Sequence, residues 1–422
     1  MLKKTLETPL CILIIVFLGA LVVRFVCSST PASITPDSNA FMEAAQALFT
    51  QQWWQFRAER IPGYPLFLVL IISLLQAVGM KMLTLATLAN TVVLFQSLLG
   101  CLTALLACET TQRLLKNPTL SLLAGLACAL SPDLILSEHA VLTESLYAFL
   151  LALYAFALVS YSGRGVLGAI SVLLVWTRHV AIVVAAVTAL YFWFSRQKQA
   201  LCVYSALVLL AIGSWAMFQY QAHGFWGYSA GSGLNQLYKT VGFVDYQSPL
   251  EANFKQLLWQ RVQLHPPRRL YEAVNDVHVI HAGQQLQRYD QIYLADDRAA
   301  ARIAQEAILK QPVRYVFVTV RQLAELLLTG TDWDPQMLYW SPLLLLSLLG
   351  MALAMRSLQS LNTPLGVIAC ITAGQFLLYP WMTVCVARYR IPLEPLVIIL
   401  AAHGLACLMA HYKNAAKLSA QS

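Results

Sequence analysis

Two carboxylates, Asp37 and Glu144, stand beside stretches apolar enough to lie in a membrane. Asp37 sits in Thr35-Pro36-Asp37-Ser38-Asn39, and Glu144 in Leu142-Thr143-Glu144-Ser145. A carboxylate held at a membrane surface can take a proton from an attacking hydroxyl. Each also has a plainer role. Asp37 or Ser38 can cap a helix whose apolar face is Phe41, Ala44, Ala45 and Leu48. Glu144, behind the candidate caps Ser137 and Thr143, suits the positive end of a helix dipole. The arginines form a second set. Arg57 and Arg60 precede Ile61-Pro62-Gly63-Tyr64-Pro65, Arg178-His179 interrupts an apolar stretch, and Arg388 and Arg390 open Ile391-Pro392-Leu393-Glu394-Pro395. Arginine at these places either snorkels to the headgroups or grips a phosphate with its bidentate fork.

The other polar residues read as structural. His278 and His281 are three apart, but no third ligand is evident, and with His223 and His265 they are taken as ordinary surface histidines. Asp332 and Asp334 precede a helix and suit a turn or cap. The nine cysteines form no CxxC pair, and Cys11, Cys101, Cys128, Cys202, Cys370 and Cys407 lie inside apolar runs. Structural zinc and a disulfide framework are not expected.

The elements that must position these groups follow from composition. Of 422 residues, 59% are apolar and 11% charged, and mean hydropathy is +0.63. Soluble domains average about 25% charged residues, so an all-α polytopic membrane protein is expected. Long unbroken runs such as Leu343–Ala354 exclude a β-barrel. Apolar stretches fall near 8–27, 64–79, 85–107, 118–132, 140–160, 165–177, 179–195, 200–218, 313–330, 336–355, 363–380 and 391–411. The net charge of +8 would suit nucleic acid in a soluble protein. Here Lys3, Lys4, Arg113, Lys116, Arg164, Arg196, Lys198, Arg356, Lys413 and Lys417 fit cytoplasmic loops, provided that 64–79 and 313–330 do not cross. This predicts about 10 transmembrane helices (range 10–12), both termini inside, and no nucleic-acid partner. The outer segments are then 28–84, a short loop near 132–143, and the long region 219–335 with helical periodicity over Asp296–Gln311. The chain divides into an N-terminal transmembrane module, 1–218, the outer region 219–335 with amphipathic helices, and the C-terminal helices 336–422.

In this order along the chain, the motifs resemble the GT-C membrane glycosyltransferases, in the branch of the protein O-mannosyltransferases and lipid A aminoarabinose transferases. The resemblance is carried by Pro36-Asp37-Ser38, Arg60-Ile-Pro-Gly-Tyr-Pro-Leu-Phe, Ser131-Pro132, Leu142-Thr143-Glu144-Ser145-Leu146, Thr177-Arg178, Gln311-Pro312-Val313-Arg314-Tyr315 and Arg388-Tyr389-Arg390-Ile391-Pro392-Leu393-Glu394-Pro395. Glu144 stands where the family often has Asp, and Arg178-His179 where it often has Arg-Pro. The resemblance implies a GT-C-type bundle with outer juxtamembrane helices. It implies a polyprenyl-phosphate-linked sugar as donor, inverting transfer on the periplasmic or extracellular side of a bacterial inner membrane, and a lipid, glycan or protein acceptor. Asp37 and Glu144 are then the expected catalytic residues. Arg60, Arg388, Arg390 and Lys239 would hold the donor phosphate, and Tyr64, Tyr389, Arg57, Glu138, His139 and Arg178 would line the substrate pocket. No cofactor is predicted. Some relatives hold a divalent cation with outer-loop acids, an option left open although no ligand spacing is recognisable here. A transporter or flippase would want charges at mid-membrane and repeated halves, and a non-catalytic assembly subunit would leave Asp37 and Glu144 dispensable.

Overall fold

The computed structural model describes residues 8–27, 31–79, 84–160, 164–240, 289–328, 334–356, 362–382 and 387–419. His265, His278, His281 and Asp332 lie outside them. The described residues are almost entirely helical: α1 (Leu10–Cys27), α2 (Pro36–Phe49), α3 (Gly63–Ala77), α4 (Leu85–Leu115), α5 (Pro118–Ala129), α6 (Pro132–Glu138), α7 (Glu144–Val159), α8 (Arg164–Thr177), α9 (Ile182–Phe194), α10 (Lys198–His223), α11 (Ser232–Thr240), α12 (Tyr289–Lys310), α13 (Pro312–Leu328), α14 (Asp334–Ala354), α15 (Pro364–Met382) and α16 (Glu394–Ser419). The expected Asp296–Gln311 helix is the second half of α12.

Five of these segments are long and apolar enough to cross a membrane, and they begin at Leu10, Leu85, Lys198, Pro364 and Ile391. The α5–α6 pair, bent by 44°, would make a sixth. Five further apolar helices are shorter, including α3 and α7. Length and apolarity thus single out five or six spans, and the expected ten would require shorter helices to cross as well.

The bend has a local cause. Ser131 accepts a hydrogen bond from the Leu134 amide while Pro132 occupies the first helical position, so a new helix starts within the expected outer loop. The largest core packs α7, α8, α9, α14, α15 and α16 around Leu151, Leu174, Val184, Trp340, Val367 and Leu400. A second core joins α1 to α4 and α5 through Val16, Ala20, Ala104, Cys108 and Ala124. A third places α2 on α3 and α4, through Ala45, Leu68, Ile71 and Val92.

Buried polar ties hold α1 at both ends. Near its start, Thr8 donates from its amide and hydroxyl to Glu109, which also accepts from Arg113. Near its other end Arg24 meets Glu138 through two parallel contacts of 2.9 and 2.5 Å, and also donates to the Ala20 and Ala129 carbonyls. Gly100 of α4 lies under this pair. A Cβ there would fall 1.9 Å from Glu138 Oε1, so only glycine admits the ion pair at this depth. One backbone bridge then joins the first two segments expected on the outer side: Ser33 donates to His139 O at 2.8 Å, and Val141 donates back to Ser33 O at 3.3 Å.

Candidate active site

Asp37 is not the cap of α2. Thr35 accepts from the Ser38 amide, and Ser38 accepts from the Thr35 amide, closing a capping box with Pro36 at the first helical position. The Asp37 side chain can therefore serve elsewhere. Its Oδ1 accepts from Arg60 Nη2 at 2.8 Å and its Oδ2 from Arg388 Nη2 at 2.9 Å, with 30% of the side chain still exposed. Burial works to raise the Asp37 pKa, but the charges and hydrogen bonds of Arg60 and Arg388 outweigh it and hold the carboxyl well below the ordinary carboxylate range.

Arg60 reaches Asp37 from a turn fixed on two sides. Ala58 O accepts from the Ala230 amide and from Gln219 of α10, and Glu59 O accepts from Ser229. Phe56 packs edge-on against Trp215 and Phe218. On the other side Gly63 presses on the end of α8, where a Cβ would sit 2.6 Å from Trp176 O. The Arg60-Ile-Pro-Gly run thus needs its glycine for close approach. The Arg60 guanidinium lies 4.5 Å over the Phe41 ring of α2.

Arg388 comes from the short 3-10 turn Ala387–Tyr389 before α16. Besides Asp37, its Nε lies 3.8 Å from Glu144 Oε1, and Arg178 Nη2 lies 3.5 Å from the same oxygen. Glu144 occupies the first position of α7, and Thr143 makes no side-chain cap. Among the described residues, three guanidiniums thus surround two carboxylates drawn from α2 and α7, one positive charge in excess when these five are ionised. The Arg178 guanidinium lies 5.8, 5.9 and 5.5 Å over the rings of Tyr147, Tyr379 and Tyr389, the last two stacked at 5.2 Å. His179 turns away, edge-on to Tyr228.

The remaining expected residues lie around this centre rather than in it. Arg390 is fully buried, 3.4 Å from Asp133 Oδ2 and 4.4 Å from the Trp340 ring, with Glu394 bonded to Ser131 beside it. Without exposed surface it acts as a brace: Arg388 lies on the 3-10 turn Ala387–Tyr389, whereas Arg390 follows that turn and precedes the next, Ile391–Leu393, and reaches Asp133 instead of Asp37. Tyr64 is buried, its hydroxyl donating to Gln96, and Gln96 donates to the Glu138 and Ala140 carbonyls. Glu138 itself is sealed against Arg24, and the His139 ring contacts Cys27 O. Arg57 pairs with Glu43 and Glu59. Lys239 is buried, bonded to Thr319 Oγ1 and Pro380 O and 4.1 Å over Tyr315. Sequence reasoning did not single out Gln375, Tyr147 or Tyr379. Among so many apolar and aromatic helix positions, nothing marks these three. Arg24 was not singled out either, although a charge inside an apolar helix is a signal that could have marked it.

Both Asp37 oxygens accept from guanidiniums, Glu144 Oε1 faces two more, and among the described residues no three His, Cys, Asp or Glu could hold a metal.

No family model matches the chain, and no curated protein matches it. Solved structures do. The apo oligosaccharyltransferase of Archaeoglobus fulgidus aligns over 99% of this chain and 52% of its own, at 14% identity and TM-score 0.55. The same enzyme tethered to an acceptor peptide containing the NVT sequon aligns over 97% and 50%, at 12% identity and TM-score 0.50. ArnT of Cupriavidus metallidurans bound to undecaprenyl phosphate aligns over 93% and 77%, at 15% identity and TM-score 0.40. The chain spans about half the length of the oligosaccharyltransferase it matches. The described residues, nearly all helical, therefore share the fold of that oligosaccharyltransferase, a polytopic helical architecture of the kind the ordered motifs implied.

Proposed function

We propose that the protein is a membrane glycosyltransferase that moves a sugar from a polyprenyl-phosphate donor to an acceptor hydroxyl on the outer face of the membrane. The observation that carries this reading is Asp37 held between Arg60 and Arg388, with Arg388 also reaching Glu144. Arginine is the residue suited to a phosphate oxygen pair, and the excess positive charge favours an anionic ligand.

In the resting protein Asp37 occupies the guanidinium that the donor phosphate needs. Donor binding transfers Arg388 from Asp37 Oδ2 to the phosphate, while Arg60 keeps Asp37 Oδ1 in place. The vacated Oδ2 accepts a hydrogen bond from the acceptor hydroxyl and orients it. The acceptor oxygen bonds to the anomeric carbon as the bond from that carbon to the phosphate oxygen breaks. The hydroxyl proton passes to Asp37 and then to water, and the electron pair leaves on the polyprenyl phosphate. Arg388 stabilises the charge that develops there. Arg390, Asp133 and Glu394 fix the turn that carries Arg388, and the Arg24–Glu138 pair fixes the segment that carries Glu144. A single displacement inverts the anomeric centre.

The test is transfer by the detergent-purified full chain from a radiolabelled polyprenyl-phosphate sugar, with the anomeric configuration of donor and product compared. Inverted product from the wild type, reduced about 10²–10⁴-fold in Asp37→Asn, supports the reading. Retained configuration, or no product from any such donor, overturns it.

A further inference from the structure

Beside the proposed phosphate site lies a set of buried polar atoms that the displacement does not use. Glu144 is 4% exposed, and its Oε2 has no hydrogen-bond partner. Arg178 is 9% exposed, and its Nη1 has none. Gln375 of α15 is fully buried; its Oε1 accepts from Tyr147 at 2.9 Å while its Nε2 is unmatched. The three are one group, because Tyr147 offers its hydroxyl to Gln375 and its ring face to Arg178. The stacked rings of Tyr379 and Tyr389 flank the Arg178 guanidinium. Buried polar atoms are nearly always matched in folded proteins, and a cluster of exceptions calls for an explanation.

We infer that Glu144, Arg178 and Gln375, flanked by Tyr379 and Tyr389, form the subsite for the transferred sugar, and that this sugar is a neutral polyol ring rather than an amino sugar. The inference rests on the proposed donor class and deepens it. The unmatched set comprises one strong acceptor and two donors. A pair of sugar hydroxyls meets all three, since each hydroxyl both donates and accepts. An ammonium donates only. Placed here it cannot accept from Arg178 or Gln375, so an amino sugar matches fewer of these atoms than a ring bearing hydroxyls alone, and it adds positive charge beside guanidiniums 3.5 and 3.8 Å from the same carboxylate. Flat aromatic faces suit the apolar C–H side of a sugar ring.

The experiment measures binding by the full chain at neutral pH of three lipids: polyprenyl phosphate alone, its hexose derivative and its amino-pentose derivative. The hexose lipid is expected to bind about tenfold tighter than the bare phosphate, and the amino-pentose lipid no tighter than it. Gln375→Leu is expected to weaken only the hexose lipid, about three- to tenfold. An amino-pentose lipid that binds as well as the hexose lipid overturns the inference. So does a Gln375→Leu variant that weakens the bare phosphate to the same extent. The wild-type comparison decides by itself should that variant fail to fold. Failure of bare polyprenyl phosphate to bind overturns the donor reading instead. A methyl hexoside titrated at millimolar concentration then reads the subsite alone: saturable binding supports it, and no binding overturns it.

Discussion

The Arg24–Glu138 pair and the Asp37–Arg388 cluster are both built from arginine and carboxylate, yet they are finished differently. Arg24 and Glu138 are 3% and 2% exposed, meet through two parallel contacts, and Arg24 spends its other nitrogen on two backbone carbonyls. The Asp37 and Arg388 side chains remain 30% and 27% exposed, and the Glu144 contacts stretch to 3.5 and 3.8 Å. A buried pair with every atom satisfied has nothing to offer a ligand and serves to hold chain segments together. A cluster with excess charge, loose contacts and reachable groups can exchange partners. The difference separates scaffold from site among residues that composition alone treats alike.

Substitutions should split along that line. The largest effect is expected for Arg24→Ala, which strands the Glu138 carboxylate in an apolar interior. Chemical unfolding of the detergent-purified chain should show a loss of about 3–5 kcal/mol, much of it recovered when Glu138 is also made apolar. Next comes Arg388→Ala, which should lower transfer about 10²–10³-fold while leaving the unfolding transition nearly in place. A loss of folded protein like that of Arg24→Ala would erase the distinction. Glu43→Ala breaks only the exposed pair with Arg57 and should change stability by less than about 1 kcal/mol and transfer by less than twofold.

The smallest effect concerns pH. Asp37 is held below its ordinary pKa by two arginines, so its contribution to stability is present above the ordinary carboxylate value of 3.8 and is lost as pH falls through the lower folded value. The resting enzyme should then show no acid limb in kcat/KM from Asp37 between about pH 5 and 8. A limb in that window that moves in Asp37→Glu would contradict the arrangement.

Much of the centre was legible because charge is scarce. In a chain with 11% charged residues, the arginines expected on the outer side stood out against the positive-inside pattern, and Asp37, Arg60, Arg178 and Arg388 do converge with Glu144. Helix positions were legible from the apolar runs, and α3 and α13 fall close to the stretches expected at 64–79 and 313–330. Finer distinctions were not. The sequence left the capping of α2 open between Asp37 and Ser38, whereas Thr35 with Ser38 takes that role. It grouped Arg390 with Arg388, although Arg388 on the Ala387–Tyr389 turn reaches Asp37 and Arg390, just past that turn, reaches Asp133. Gln375, Tyr147 and Tyr379 resemble core positions until the tertiary fold gathers them around Arg178.

The central claim is that Asp37 holds Arg388 until the donor phosphate takes it. Titrating polyprenyl phosphate against wild type and Asp37→Asn, and measuring transfer by both, tests this most directly. Removing the internal competitor should tighten lipid-phosphate binding, by about tenfold for each 1.4 kcal/mol of competition removed, while transfer collapses. Weaker binding in Asp37→Asn, or transfer at the wild-type rate, would contradict it.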